Sequence, residues 1–187
     1  MGLANQSFGR NVLFMNGNDK AMAGEFSVLS QLYLRGKNPG MTLGHTKGVD
    51  ILISDSETGK MLKIEVKTHC RNIRDAGIRS KIFGNFLSYW IMKKKNGEYD
   101  RKRDANLFYC FANIEGSKHR FFIVPAKVVA HYIRWEFKRF QEMHRKAGKV
   151  AKDVGMRQFR IGTKKHRNKL KETPVIEKYE DNWDFNN

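Results

Sequence analysis

Two apolar runs that lie close together in the sequence restrict the fold of this chain more than any other feature. They cover residues 49–54 and 61–68, and a polar stretch rich in turn-forming residues separates them. In the second run Leu62, Ile64 and Val66 alternate with polar side chains, which is the pattern of a half-buried β-strand. A short turn between two such runs predicts neighbouring strands of one sheet.

A helix is predicted before these strands, from Asp19 or Lys20 to about Leu34. Asp19 is a candidate cap for its first turn, and Gly36 is a candidate residue to end it. The apolar arc that we expect to face the sheet consists of Met22, Phe26, Leu29 and Leu32.

The later sequence alternates between strand-like and charged segments. In order, it predicts a strand at 87–92, a charged loop at 93–104, hairpin strands at 107–114 and 120–124, and an amphipathic helix at 126–147. This order of elements predicts an α/β fold with a mixed central β-sheet flanked by helices. The length of 187 residues predicts one domain over 1–187, with its core at about 20–147 and a basic, less regular extension at 148–187.

The charge of the chain indicates the chemical class of its partner. Thirty-six Lys and Arg residues against nineteen Asp and Glu residues give a formal net charge of +17. This excess favours a polyanion, and nucleic acid is the first interpretation, ahead of an anionic membrane surface. The sequence has no apolar run near the roughly 18 residues of a membrane span, so we expect no membrane partner. Two isolated cysteines, Cys70 and Cys110, favour the cytoplasm over a disulfide scaffold or a zinc site.

An acidic residue two positions before a lysine occurs three times, and the predicted context separates the three triplets. They are Glu65-Val66-Lys67, Asp100-Arg101-Lys102 and Glu136-Phe137-Lys138. The second falls in a charged loop and the third in an amphipathic helix, where we expect a solvated surface. In the predicted strand at 61–68, alternation places Glu65 and Lys67 on the same face. An ordinary pair of strand charges remains the alternative to a functional role.

A second carboxylate strengthens the functional interpretation. Asp50 interrupts the apolar run at 49–54, and a buried carboxylate is costly unless it is paired or binds a metal. Neighbouring strands would bring Asp50 close to Glu65, and two convergent carboxylates suit Mg²⁺ or Mn²⁺. Glu25 lies on or beside the sheet-facing arc of the first helix, either as a third acidic group at that site or as a boundary residue.

With these residues the sequence resembles the PD-(D/E)XK nuclease superfamily. The resemblance rests on Gly24-Glu25 in the first helix, Gly48-Val49-Asp50 in one strand and Ile64-Glu65-Val66-Lys67-Thr68 in the next. The similar branch contains archaeal Holliday-junction resolvases and restriction endonucleases. The motif match covers about residues 20–68, and Val49 replaces the proline of the motif's name.

This resemblance implies a restriction-endonuclease-like core of α-β-β-β-α-β type. It also implies divalent-metal-dependent hydrolysis of DNA phosphodiester bonds. Carried over by position, Asp50 and Glu65 would ligate Mg²⁺ (or Mn²⁺), with the Val66 carbonyl as a further ligand. Glu25 would bind the ion through water or hold a second one, and Lys67 would orient the nucleophile or neutralise developing charge. We expect a homodimeric endonuclease that is structure-selective or weakly sequence-selective. The alternatives are a sequence-specific restriction endonuclease, a non-catalytic nucleic-acid-binding protein on a degenerate nuclease scaffold, and a basic RNA-binding protein.

The positive charge predicts where nucleic acid would lie. Basic residues cluster in the predicted loop and along one ridge of the second helix, and such side chains contact phosphates without reading sequence. A solvated basic face on a core helix is the alternative for that ridge. The candidate nucleic-acid-binding residues are Lys47, Thr68, Lys93, Lys94, Lys95, Arg101, Lys102, Arg103, Lys127, Arg134, Lys138 and Arg145.

Overall fold

A computed structural model describes residues 15–42, 48–54, 59–71, 73, 77–97, 105–163 and 172–185. The chain divides into two compact units, each made of separated stretches. Unit 1 comprises Met1–Asn72, Asn106–Pro125 and Glu180–Asn187, and unit 2 comprises Ile73–Ala105 and Ala126–Tyr179. Within the described part, no helix is long and apolar enough to cross a membrane. The single domain expected over 1–187 stays a prediction.

Nine strands and three α-helices are described. The strands are β1 (Pro39–Met41), β2 (Ile51–Ser54), β3 (Met61–His69), β4 (Ile78–Ser80), β5 (Gly84–Phe86), β6 (Ser88–Lys93), β7 (Leu107–Glu115), β8 (Lys118–Pro125) and β9 (Met156–Ile161). The helices are α1 (Gly17–Leu34), α2 (Ala126–Lys146) and the single turn α3 (Ile176–Tyr179), with a 3-10 helix at Lys94–Gly97.

Unit 1 is built on a five-stranded sheet in the order β1-β2-β3-β7-β8. The β3–β7 pair is parallel, and the other three pairs are antiparallel. The predicted neighbouring strands at 49–54 and 61–68 are therefore confirmed as β2 and β3, with Ile51 opposite Ile64. The hairpin predicted at 107–114 and 120–124 is confirmed as β7 and β8. The chain has the mixed α/β fold, with a central sheet and flanking helices, that the sequence predicts.

The ends of α1 correct one detail of the sequence prediction. Its N-cap is Asn16, whose side-chain Oδ1 accepts a hydrogen bond of 2.9 Å from the backbone N–H of Asp19. Asp19, the predicted cap, therefore lies inside the first turn. The helix ends as predicted, because Gly36 adopts a φ of +69°, a left-handed conformation that glycine adopts without steric cost.

The buried face of α1 differs from the predicted arc. Gly24, Val28 and Leu32 are buried, whereas Met22 and Phe26 are 44% and 53% exposed. Successive steps of four residues put the buried three on one face of the helix. The predicted arc is confirmed for Leu32, which is in the core, and for Leu29, which packs against it. It was wrong for Met22 and Phe26, because it followed the largest apolar side chains. The helix instead packs through the face that carries a glycine.

The last described segment returns to unit 1 and covers β8. Glu180 accepts two hydrogen bonds from the Arg120 guanidinium, of 2.6 and 3.1 Å, and forms a bridge with Phe122. Trp183 lies against Phe121, with ring centroids 5.4 Å apart. The extension at 148–187 was predicted to be less regular, but its last described residues, Trp183 and Phe185, belong to the core of unit 1.

Unit 2 holds two small sheets and the long helix α2. Strands β4 and β5 form a hairpin, and β6 pairs with β9 in antiparallel register. The predictions of a strand near 87–92 and a helix at 126–147 are confirmed by β6 and α2. Both β9 and the β4–β5 hairpin lie in stretches for which no strand was predicted.

A buried charged cluster in unit 2 corrects the prediction for Glu136. This residue was expected on a solvated surface, but it is 7% exposed and its Oε1 lies 3.1 Å from Nη1 of Arg160. The Arg160 guanidinium lies 3.7 Å from the centroid of the Phe83 ring, and Arg157 lies equally close to Phe137. Cation–π contacts and the ion pair make burial of these arginines tolerable.

Candidate active site

Strand β3 presents the predicted Glu65 and Lys67 side by side. It lies between β2 and β7 in the sheet of unit 1, where β7 pairs with residues 63–69 and β2 pairs with residues 61–64. Glu65 is 6% exposed, and its Oε1 lies 2.6 Å from Nζ of Lys67. The same Nζ lies 3.4 Å from the Val66 carbonyl oxygen. The alternation predicted from the sequence thus produces a half-buried ion pair.

Asp50 is fixed beside this pair, just before β2 begins. Its Oδ2 accepts a hydrogen bond of 2.7 Å from the backbone N–H of Val66. Its own backbone N–H donates to the Ile64 carbonyl at 2.8 Å, and its carbonyl accepts from Thr42 at 3.0 Å. Backbone and side chain are therefore both held against β3, between the residues that flank Glu65.

Burial and neighbouring charges act on the Asp50 carboxyl in opposite directions. Burial raises its pKa above the ordinary value and is the largest effect. The hydrogen bond from Val66 and the positive charge of Lys67 lower the pKa, and the negative charge of Glu65 raises it again. The net effect raises the pKa of Asp50, so the favourable interactions of its carboxylate do not fully offset the cost of burial.

Helix α1 brings a third carboxyl, Glu25, to the same place. Burial raises the pKa of Glu25, the negative charge of Asp50 raises it further, and the positive charge of Lys67 lowers it. These interactions place Glu25 within electrostatic reach of both residues. The structure therefore brings together the four side chains predicted as catalytic: Glu25, Asp50, Glu65 and Lys67.

Two glycines at this site were not identified as functional positions from the sequence. Gly48 has a φ of +80°, and a Cβ added there would lie 3.4 Å from Oε2 of Glu65. Gly24 packs directly on Thr68 of β3. Both glycines precede an acidic residue of the site in the sequence, by two positions and by one. That adjacency was the available signal, but a sequence alone does not show which glycines are tightly packed.

The donor chemistry of the site fits a hard divalent cation. Its candidate ligands are all oxygens, which Mg²⁺ and Mn²⁺ prefer. Within the described ranges, no three His, Cys, Asp or Glu side chains form a group that could hold a metal ion. Mg²⁺ usually binds proteins through one or two carboxylates and keeps several waters. Asp50 and Glu65 meet that lower requirement. Burial raises the pKa of Asp50, and a cation bound beside it would favour the ionised carboxylate.

Thr68 is placed differently from what its predicted contact with nucleic acid requires. Its hydroxyl oxygen is buried, and no hydrogen-bond partner for it is found in the part of the chain that the structure describes. The hydroxyl points to Gly24 of α1. This position does not favour a contact between the Thr68 hydroxyl and a bound nucleic acid.

His69, at the end of β3, is a buried neutral residue. It is 8% exposed and lies opposite Asn113 of β7. Burial lowers its pKa to about 3, and the nearby charge of Arg71 acts in the same direction. Cys70 and Cys110 are both free thiols. These features agree with a structural role for His69 and Cys70.

The described basic residues predicted to bind nucleic acid are exposed and lie in unit 2. They are Lys93, Lys94, Lys95, Lys127, Arg134, Lys138 and Arg145. Nζ of Lys94 lies 3.5 Å from Asp153, and so part of its charge is paired. Lys47, Arg101, Lys102 and Arg103 lie outside the described residues, as does the triplet that begins at Asp100. Exposure is necessary for phosphate contact, and the binding role stays a prediction.

Comparisons with known proteins give a likeness of fold. No protein-family model matches the chain, and no curated protein matches it. Among solved structures it is similar to the bacterial homing endonuclease I-Ssp6803I, with a TM-score of 0.47 and 14% sequence identity. The likeness covers 90% of this chain and 91% of that chain. At this degree of similarity it assigns neither a residue nor an activity.

Proposed function

We propose that this chain is a divalent-metal-dependent DNA endonuclease of the PD-(D/E)XK kind. The observation that carries the proposal is the convergence of Asp50, Glu65 and Lys67 on neighbouring strands, with Glu25 beside them on α1. The net charge of +17 supports a polyanionic substrate.

The reaction is attack of a water oxygen on phosphorus while one bridging P–O bond breaks and the leaving oxygen takes up a proton. Asp50 and Glu65 would hold Mg²⁺ or Mn²⁺, with the Val66 carbonyl and Glu25 as further donors. The bound ion would supply a water of lowered pKa and offset charge on the phosphate. Lys67, held by Glu65 at 2.6 Å, presents a cation that orients the attacking water or stabilises developing negative charge.

The direct test of the proposal is cleavage of plasmid DNA with and without Mg²⁺. Asp50→Asn and Glu65→Gln keep the shape of each side chain but remove its charge. We expect both variants to lose cleavage, by several kcal/mol in the barrier, while they stay folded and bind DNA. Asp184→Asn, at an exposed position of the last described segment, is the matched control. Full activity in either site variant would refute the assignment, and DNA binding by an inactive wild-type chain would favour the non-catalytic alternative.

We further propose weak sequence selectivity, because the candidate DNA contacts are dispersed Lys and Arg side chains. Such contacts make affinity depend steeply on salt and weakly on base sequence. At about 150 mM salt, near physiological ionic strength, a four-way junction should outcompete a linear duplex of equal length. Random-sequence duplexes should compete equally with one another. Plasmid fragments all cut at one short sequence would instead identify a sequence-specific restriction endonuclease.

A homodimer is the assembly that we propose, since cutting both strands of a duplex is simplest with two active sites. Light scattering coupled to size-exclusion chromatography, with and without DNA, measures the assembly. A monomer that only nicks plasmid DNA would contradict it without affecting the proposed chemistry.

A further inference from the structure

Helix α1 approaches β3 through a direct contact between Gly24 and Thr68. A Cβ built on Gly24 would lie 1.8 Å from the Thr68 hydroxyl oxygen and 2.8 Å from both Cβ and Cγ2 of Thr68. Non-bonded carbon atoms optimally lie about 3.5–4.0 Å apart. At this point the helix and the strand are closer than any residue with a side chain would permit.

Rotation of the Thr68 side chain cannot make room for such a Cβ. Thr68 is branched at Cβ, so every staggered rotamer keeps two heavy atoms on that carbon. The Thr68 Cβ itself lies within 2.8 Å and is fixed by the strand backbone. At Thr68 strand β3 pairs with Ala112 of β7, within a parallel register that runs from Lys63 to His69, so β7 holds this part of the strand in place. A side chain at position 24 therefore has to displace the helix.

Displacement of α1 at this point acts on the adjacent residue, Glu25. Glu25 interacts with Asp50 and Lys67, which are both held on the sheet: Asp50 by its hydrogen bond to Val66, and Lys67 by its ion pair with Glu65. The helix is therefore the element that sets how close Glu25 lies to the rest of the site.

We propose that Gly24 and Thr68 are positioning residues that set the distance between helix α1 and strand β3 and thereby hold Glu25 at the site formed by Asp50, Glu65 and Lys67. The inference rests on the proposed nuclease function of that site. In this inference the absence of a side chain on Gly24 allows the helix to approach the strand closely. The side chain of Thr68 limits how close that approach can be.

The first experiment compares Gly24→Ala with Gly17→Ala in the same helix. A Cβ at Gly17 would meet nothing within 4 Å, so Gly17→Ala is a matched control for the change in helix propensity. Because misplacement by about 1 Å can cost on the order of 100-fold in rate, we expect Gly24→Ala to lower single-turnover cleavage by roughly 10- to 100-fold. Gly17→Ala should cleave like the wild type. Wild-type cleavage by Gly24→Ala would overturn the inference.

A reciprocal exchange tests whether the contact itself matters. Thr68→Gly removes the atoms that an added Cβ would meet, so Gly24→Ala combined with Thr68→Gly restores the space between helix and strand. We expect the double variant to cleave within about threefold of Thr68→Gly alone, although a strand glycine lowers the stability of both. A double variant whose defects simply multiply would contradict a shared contact.

A third comparison distinguishes positioning from general loss of structure. If Gly24 acts through Glu25, then in a Glu25→Gln background Gly24→Ala should give no further loss of rate, while it still lowers the midpoint of thermal unfolding. An equal loss of rate in both backgrounds would show that the contact is merely structural.

Metal binding supplies a measurement that does not need turnover. Titration with Mn²⁺ by calorimetry should give weaker binding for Gly24→Ala and for Glu25→Gln, and wild-type binding for Gly17→Ala. If the wild type cleaves DNA but Gly24→Ala binds Mn²⁺ with unchanged affinity, the inference about Gly24 would be overturned and the proposed nuclease function would stand. A wild-type chain that neither cleaves DNA nor binds Mn²⁺ would overturn the proposed function and this inference together.

Discussion

The triplets Glu65-Val66-Lys67 in β3 and Glu136-Phe137-Lys138 in α2 have the same spacing but opposite outcomes. On the strand, residues two apart point to one face, and the Lys67 ammonium lies 2.6 Å from Glu65. On the helix, residues two apart are rotated by about 200° around the helix axis, so they lie on nearly opposite faces. Glu136 is therefore buried against Arg160 while Lys138 is exposed. The period of the element decides whether such a triplet makes a site.

The largest expected difference between the two triplets is in catalysis. Lys67→Ala should lower the single-turnover cleavage rate on the order of 100-fold or more, because it removes a charge that stabilises the reacting phosphate. Lys138→Ala removes an exposed charge of unit 2 and should only weaken DNA binding. The measurement is the cleavage rate at saturating DNA, with circular dichroism as a check of folding. Equal losses of rate in the two variants would show that the wrong triplet was chosen.

The second difference is in stability, and here the order of the two triplets reverses. Removing Glu136 leaves the Arg160 guanidinium buried without this ion-pair partner, and breaking a buried pair in this way costs about 3–5 kcal/mol. We expect Glu136→Ala to lower the free energy of unfolding by about that amount, and Glu65→Ala to lower it by less, because Lys67 is 29% exposed and can reach water. Denaturant unfolding measures both. A Glu136→Ala loss below that of Glu65→Ala would refute this reading of the cluster in unit 2.

His69 extends the comparison to a buried group that lacks charge. Its pKa is lowered to about 3 from the ordinary value of 6.5, so below pH 6.5 the unfolded chain takes up a proton that the folded chain does not. Stability is complete above pH 6.5 and falls as the pH falls toward 3. Between pH 7 and pH 5 the loss from this group should be about 2 kcal/mol.

Denaturant unfolding at the two pH values measures this effect. His69→Gln should flatten the pH dependence by that amount, and His131→Gln, at an exposed position of α2, is the matched substitution. An unchanged pH dependence in His69→Gln would show that the imidazole is not kept neutral by burial.

The smallest effect is expected at Thr68. Its hydroxyl is buried, and in the described part of the chain it has no hydrogen-bond partner, so Thr68→Val replaces an unsatisfied polar group by a methyl group of similar size. We expect a gain of up to about 1 kcal/mol in the free energy of unfolding, with unchanged DNA affinity. Weaker DNA binding by Thr68→Val would instead support the sequence-based prediction that Thr68 contacts nucleic acid.

The sequence predicted the features that alternation and local chemistry determine. Strand β3, with Glu65 and Lys67 on one face, follows from period two, and Asp50 was conspicuous as the charged residue of an apolar run. The buried face of α1 could not be predicted in this way, because Gly24 carries no hydrophobic signal and Phe26 carries a misleading one. Only the position of Thr68 in space shows that a glycine is required there.

Strand β9 was not predicted from the sequence, for a different reason. Its sequence contains Arg157 and Arg160, which are typical of an exposed segment, yet both are buried against aromatic rings. Its partner β6 lies more than sixty residues earlier in the chain, and no local sequence pattern indicates such a pairing. Long-range contacts that make charged residues tolerable in a core are visible only in three dimensions.

The return of Glu180 and Trp183 to β8 has a consequence for biosynthesis. A chain emerges from the ribosome from its N-terminus, so β8 is made well before the segment that bridges Phe122 and packs on Phe121. In between, the ribosome has to produce the whole second stretch of unit 2, Ala126–Tyr179. Until then the outer edge of β8 lacks this cover, and an open strand edge can pair with other nascent chains. Protection of β8 against such pairing therefore depends on translation continuing past Glu180.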